Sequence, residues 1–139
     1  MSKSNATEND LMKFLFNLVA MPSYGSTLYL SLHTSDPGEG GDQTSNEVTV
    51  AAYQGYARVA VSRDAAGWDV VDNEASNKTL VQFPECTGGT GATVTHIAIG
   101  TQASGAGQIL YSGALNAPLN VSNLVQPQFA IGGLVIEED

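Results

Sequence analysis

Apolar residues recur along this chain with two different periods. Leu11, Phe14, Leu15, Leu18 and Val19 fall at i, i+3, i+4, i+7 and i+8, one face of an amphipathic helix. Met12 and Phe16 widen the stripe, so seven large apolar residues fall within nine positions. Thr7 is the candidate N-cap, and Glu8 and Asp10 put negative charge at the positive end of the helix dipole. Pro22 and Gly25 are stop signals. The spacing predicts a helix over about 8–21, preceded by a mobile polar arm over about 1–7.

Beyond residue 26 the period shortens to two. Leu28, Leu30 and Leu32 alternate with Tyr29, Ser31 and His33, which predicts a strand over Thr27 to Thr34. Asp36-Pro37-Gly38 and Gly40-Gly41 then mark a turn and a long loop. Glu47 to Ala52 reads as a short edge strand or extended arm. Ala57, Val59 and Val61 form one side of the next strand, and Ala65-Ala66-Gly67 is a turn. Trp68 and Val70 begin a strand that Asp72-Asn73 ends, and Thr79 to Phe83 is a strand stopped by Pro84. Thr93 to Gly100 is apolar on both faces apart from His96, as a central strand is. Gln108 to Leu115, a break at Pro118, Leu119 to Val121 and Gln128 to Ile136 complete the set, with a bend at Gly132-Gly133. Short strands at roughly 10-residue spacing predict an all-β fold, a β-sandwich or jelly roll with one N-terminal α-helix, in a single domain over 1–139.

Charge changes this picture more than size does. Only 14% of the residues are charged, and the net charge is −9. The five basic residues, Lys3, Lys13, Arg58, Arg63 and Lys78, all lie in the first 78 positions. A sparse, acidic charge set cannot displace counterions from a phosphate backbone, which argues against nucleic-acid binding and against an anionic membrane surface. The apolar run Leu11 to Met21 is too short to span a bilayer, and no secretory signal is visible. The single cysteine, Cys86, reads as a small buried apolar residue. A surface so poor in charge fits a protein that packs against neighbours, and it fits an acidic protein with a neutral polar surface as well.

Candidate chemistry is thin. There is no G-x-S-x-G, H-E-x-x-H or Walker sequence, so neither a catalytic residue nor a cofactor is expected. His33, on the polar side of its strand, is expected at the surface or at an interface, and His96 as a hydrogen-bonded core or interface residue. Asp36, Glu39 and Asp42 bring three carboxylates into one loop, but their spacing matches no calcium motif, and no metal is expected. Arg58 and Arg63 are expected to pair with carboxylates, within the chain or across a subunit contact. The plain expectation for the helix is that it caps the sheet core. The sharper one is that its surplus apolar residues dock on a partner. The interface candidates are Leu11, Met12, Phe14, Phe16, Arg58 and Arg63.

From Leu28 to Ile136 the chain also carries an ordered series of short motifs: L-H-T-S-D-P-G at 32–38, G-Y-A-R at 55–58, S-N at 76–77 with F-P at 83–84, V-T-H-I-A-I at 94–99 and L-Y-S-G-A-L at 110–115. In this order the chain resembles the small virion proteins of tailed bacteriophages, a family whose members are described as decoration, cement or tail-fibre-like proteins. The resemblance implies a particle component made in the host bacterial cytoplasm. Its first form would be a homo-oligomeric cement protein on the capsid surface, partnered by the major capsid protein. Its alternative is a receptor- or glycan-binding module of a tail fibre.

Overall fold

The structure is a computed structural model, described here for residues 1–138. Ten strands and one helix follow the chain: β1 Ser2–Lys3, α1 Asn5–Asn17, β2 Thr27–His33, β3 Val59–Ser62, β4 Trp68–Val71, β5 Glu74–Asn77, β6 Val81–Gln82, β7 Ala92–Gly100, β8 Ile109–Val121, β9 Gln128–Phe129 and β10 Val135–Glu137. The fold is all-β with a single N-terminal helix, as the periodicities predict. Five strands form the main antiparallel sheet in the order β1-β8-β7-β2-β3. A three-stranded sheet (β10-β5-β4) and a two-stranded ribbon (β6-β9) supply the remainder.

The register explains where the core lies. Leu30 pairs with Ile99 and Leu32 with Ile97, so these side chains share one face of the main sheet. That face, which Val121 of β8 extends, packs with Val81, Phe83, Leu134 and Ile136 from the other sheets and connections in one buried cluster. Tyr53, Tyr56, Phe83 and Phe129 add a run of ring contacts with centroids 5.3 to 6.3 Å apart. Cys86 is buried in the same cluster.

The opposite face carries small and polar residues: Ser31 opposes Ala98, and His33 opposes His96. It is sealed by the loop after β2. Gln43 is fully buried there. Its side-chain oxygen accepts the Gln102 N–H at 2.9 Å, and its own N–H donates to the Gly107 carbonyl at 2.9 Å. A Cβ at Gly100 would lie 2.2 Å from the Gln43 Cδ, and one at Gly107 would lie 2.0 Å from its Oε1. The two glycines therefore make room for the glutamine that closes the sheet.

Several boundaries differ from expectation. Ser2 and Lys3 are not a free arm: they pair with Ser112 and Tyr111 as an edge strand. Because β1 fixes the chain there, the helix starts earlier, at Asn5, with Ser4 as N-cap accepting the Thr7 N–H at 3.3 Å. It ends at Asn17, ahead of Pro22, where Leu18 takes the left-handed conformation (φ 58°). Glu47 makes only a single bridge to His33. Pro118 does not end its strand. It sits in a bulge where β7 passes from Val94–Leu119 to His96–Ala114 pairing, and residues 115–118 are extruded. The Asp72-Asn73 turn joins β4 to β5, a strand whose polar sequence E-A-S-N gives no alternation to read.

Candidate interaction surface

The helix is tethered at one end by polar bonds. Ser4 N–H donates to the Leu110 carbonyl at 3.3 Å, and Asn5 N–H to the Glu39 carbonyl at 2.9 Å. The hydroxyls of Ser4 and Thr7 both donate to the Ile109 carbonyl, at 2.5 and 3.1 Å. Gln108 Nε2 reaches Thr7 Oγ1 and Asp10 Oδ2, each at 3.1 Å, and the Tyr24 hydroxyl donates to the same Asp10 oxygen at 3.0 Å. That carboxylate and burial push the Tyr24 phenol up to about 12, burial being the larger cause. Among helix residues only Thr7 is buried.

Beyond Asp10 the helix leaves the body. Leu11 is half-buried, whereas Met12, Phe14, Leu15 and Phe16 are exposed, Phe16 at 74%. Leu18, in its left-handed cap, is 100% exposed, and Val19 follows it into solvent. At 100° per residue, the side chains from Phe14 through Leu11, Leu15 and Met12 to Phe16 sweep an arc of about 200°. A helix lying on a globular surface needs little more than about 100°. The plain expectation that the helix caps the sheet core is therefore corrected: its base is bonded to β8, and most of its apolar surface is exposed.

The two arginines take different places. Arg63 is exposed next to this end, where its Nε donates to the Gly25 carbonyl and its backbone N–H to the Ser26 carbonyl at 2.9 Å, holding the connector between α1 and β2. Arg58 sits away from it in an internal network. Its Nε and Nη2 bind both Glu47 oxygens at 2.7 Å, and its remaining donors reach the carbonyls of Gln102 and Gly105 at 2.9 and 2.8 Å. Its side chain is 3% exposed. The Tyr56 hydroxyl donates to Glu47 at 2.9 Å and accepts the Leu32 N–H at 3.0 Å. Of the two pairings open to Arg58 from sequence, the chain uses the internal one, and this removes it from the exposed surface. Leu11, Met12, Phe14 and Phe16 share α1, Arg63 holds the connector that follows it, and Arg58 lies in the internal network.

His33 is not on the surface either. It is completely buried because the Gln43 loop covers its face. Its Nδ1 lies 2.8 Å from the Ser45 carbonyl and must donate, which leaves Nε2 to accept from Ser31 Oγ at 2.8 Å. Burial, the main cause, pulls its pKa below the ordinary value. A serine–histidine contact with no route to solvent holds the sheet closed and cannot meet a substrate. His96 is half-buried, with its Nδ1 2.9 Å from Thr95 Oγ1. In the acidic loop, Asp36 and Asp42 accept the N–H groups of Gly38 and Thr44, both at 2.8 Å, as turn-forming aspartates. Among the described residues, no three His, Cys, Asp or Glu side chains converge as metal ligands, and no helix is long and apolar enough to cross a membrane.

Residues 2–137 match a family model described as podophage GP4 fiber I protein gp80. The chain belongs to that family. Membership in the gp80 family bears out the resemblance to small structural proteins of tailed-phage virions. No curated protein matches the chain. The gp80 match runs through both the β-body and α1, so the exposed helix lies within the matched region.

Proposed function

We propose that this chain is a non-catalytic structural component of a podophage fibre, and that α1 joins neighbouring copies. The observation that carries the reading is the apolar arc on α1. Exposed apolar patches of this kind on an otherwise well-packed domain mark association surfaces. An arc of about 200° is wider than one flat partner covers, and it suits a helix with more than one neighbour, as in a bundle. We therefore assign α1 to a bundle formed by the helices of several copies, with the β-bodies arrayed around it. The fibre in the family description supports that place on the particle over the capsid surface.

The cement reading draws support from the low charge content, which suits a protein packed on a shell. Under that reading the apolar helix faces the major capsid protein. Copy number separates the two, since a cement protein is present in many copies per shell and a fibre protein in few per particle. The direct test is the oligomeric state of the purified chain by light scattering across a concentration series, with Phe16→Gln and Met12→Gln alongside. The expected result is an oligomer for the parent and a shift to monomer for the variants, which also fail to enter particles. A parent chain that is monomeric throughout, with both variants incorporated normally, overturns the assignment.

A further inference from the structure

A cleft of about 680 Å³ opens between the β4–β5 hairpin and the main sheet. Its floor is apolar and partly aromatic, built from Leu28, Ile99, Trp68, Tyr111 and Ile136. Its rim is polar, with Arg63, Asp69, Asn73, Glu74 and Lys78 among the lining residues. In all, five carboxylates (Asp64, Asp69, Asp72, Glu74, Glu138) stand against two cations (Arg63, Lys78). Glu138 is already engaged by Lys3 and by the Tyr111 hydroxyl. Asp64 accepts the Ala66 N–H at 2.8 Å. Trp68 Nε1 is the one buried side-chain polar atom without a hydrogen-bond partner among the described residues.

We propose that this cleft binds a pyranose sugar, either neutral or bearing an amine, and rejects acidic sugars. Three features select that class. A volume of about 300–1,000 Å³ is that of a small-ligand site, ample for one or two sugar rings. A pyranose has an apolar C–H face that packs on aromatic rings such as Trp68 and Tyr111, and its hydroxyls both donate and accept. Free carboxylates accept from those hydroxyls, while Asn73 and Arg63 can donate to them. The excess of carboxylates opposes a second anion and favours an ammonium substituent. The same excess argues against phosphates and nucleotides.

Trp68 is the only tryptophan in the chain, so its fluorescence reports on this cleft alone. The test is a fluorescence titration of the full chain with glucose, galactose, mannose, rhamnose, glucosamine, galactosamine and glucuronate, repeated by calorimetry. A saturable change is expected for at least one neutral or amino hexose, and none for glucuronate. Asp69→Asn and Glu74→Gln lie on exposed strand positions and should raise the Kd of that ligand several-fold with an unchanged thermal midpoint. The proposal is overturned if no hexose binds by either method, if glucuronate binds as well as the others, or if both variants bind like the parent. It stands on the cleft and not on the fibre reading: monomeric α1 variants should titrate as the parent does.

Discussion

Two regions of this molecule invert the usual arrangement in opposite ways. Behind β2, the polar side chains of Ser31, His33 and Gln43 are fully buried, with the Glu47–Arg58 pair beside them, and each is hydrogen-bonded within the chain. Along α1, Met12, Phe14, Leu15 and Phe16 are apolar and at least half of each stands in solvent. The first region is finished: its polar groups tolerate burial because their partners are in place. The second is unfinished, because the surface that would offset its exposure is missing from the chain. A position's polarity therefore does not sort function from structure here. What sorts them is whether the group's needs are met internally.

The comparison is broken most forcefully by removing one side of the buried ion pair. Arg58→Ala leaves the half-buried Glu47 without its guanidinium, and is expected to destabilise the fold by about 3 kcal/mol, the low end of what losing one partner of a fully buried pair costs. Chemical denaturation measures it; a loss below about 1 kcal/mol would place the pair among weak surface bridges. Gly100→Ala should be next, because its Cβ meets the buried Gln43 side chain, and overpacking of that kind costs about 1–3 kcal/mol. Pairing it with Gln43→Ala should recover part of the loss, which a double-mutant cycle would show.

A pH series sharpens the same contrast with a smaller effect. His33 has a folded pKa below the ordinary 6.5, so the unfolded chain binds the proton more readily. Its contribution to stability is fully present above about pH 6.5 and is lost as the pH falls from there toward the folded value. The thermal midpoint should be level from about pH 8 to 7 and decline below about 6.5. In His33→Gln, which is less stable throughout, that decline should be absent. Asp42 and Glu138 also have depressed pKa values, Asp42 chiefly through the Thr44 hydroxyl and Glu138 chiefly through Lys3. Their contributions are present above the ordinary carboxylate range and lost below it, so they do not obscure the histidine window.

The smallest effect on stability is expected on the helix. Phe16→Gln should change the unfolding free energy by no more than about 0.5 kcal/mol, because most of the residue is already exposed. A large loss would mean that α1 packs on the body in solution, and the contrast between the two regions would disappear.

The main sheet was legible because its strands alternate or run apolar: Leu28, Leu30 and Leu32, and the stretch to Gly100, each carry their burial in their pattern. What escaped did so for physical reasons. β1 and β5 are short and polar, and only pairing with β8, β4 and β10 makes them strands. His33 sits at a polar position in its strand, and nothing local announces that a loop ten residues on will cover it. The apolar surplus on α1 was legible as surplus, but whether the body would cover it depended on where β1 anchors the helix base. Arg58 and Arg63 look alike in sequence, and separate only because Glu47 lies within reach of one of them. The Trp68 cleft left no mark, since its lining comes from segments as distant as Leu28 and Glu138.

The contact between Gln43, Gly100 and Gly107 has a consequence for how this sequence can drift. The three positions behave as one heritable character. A relative that replaces the glutamine with a small residue loses the reason to keep Gly100, while Gly107 is still held by the Gln102 side chain, and one that gains a side chain at Gly100 must first shorten residue 43. Substitutions there should arrive together, in that order, across lineages whose remaining loop residues vary freely.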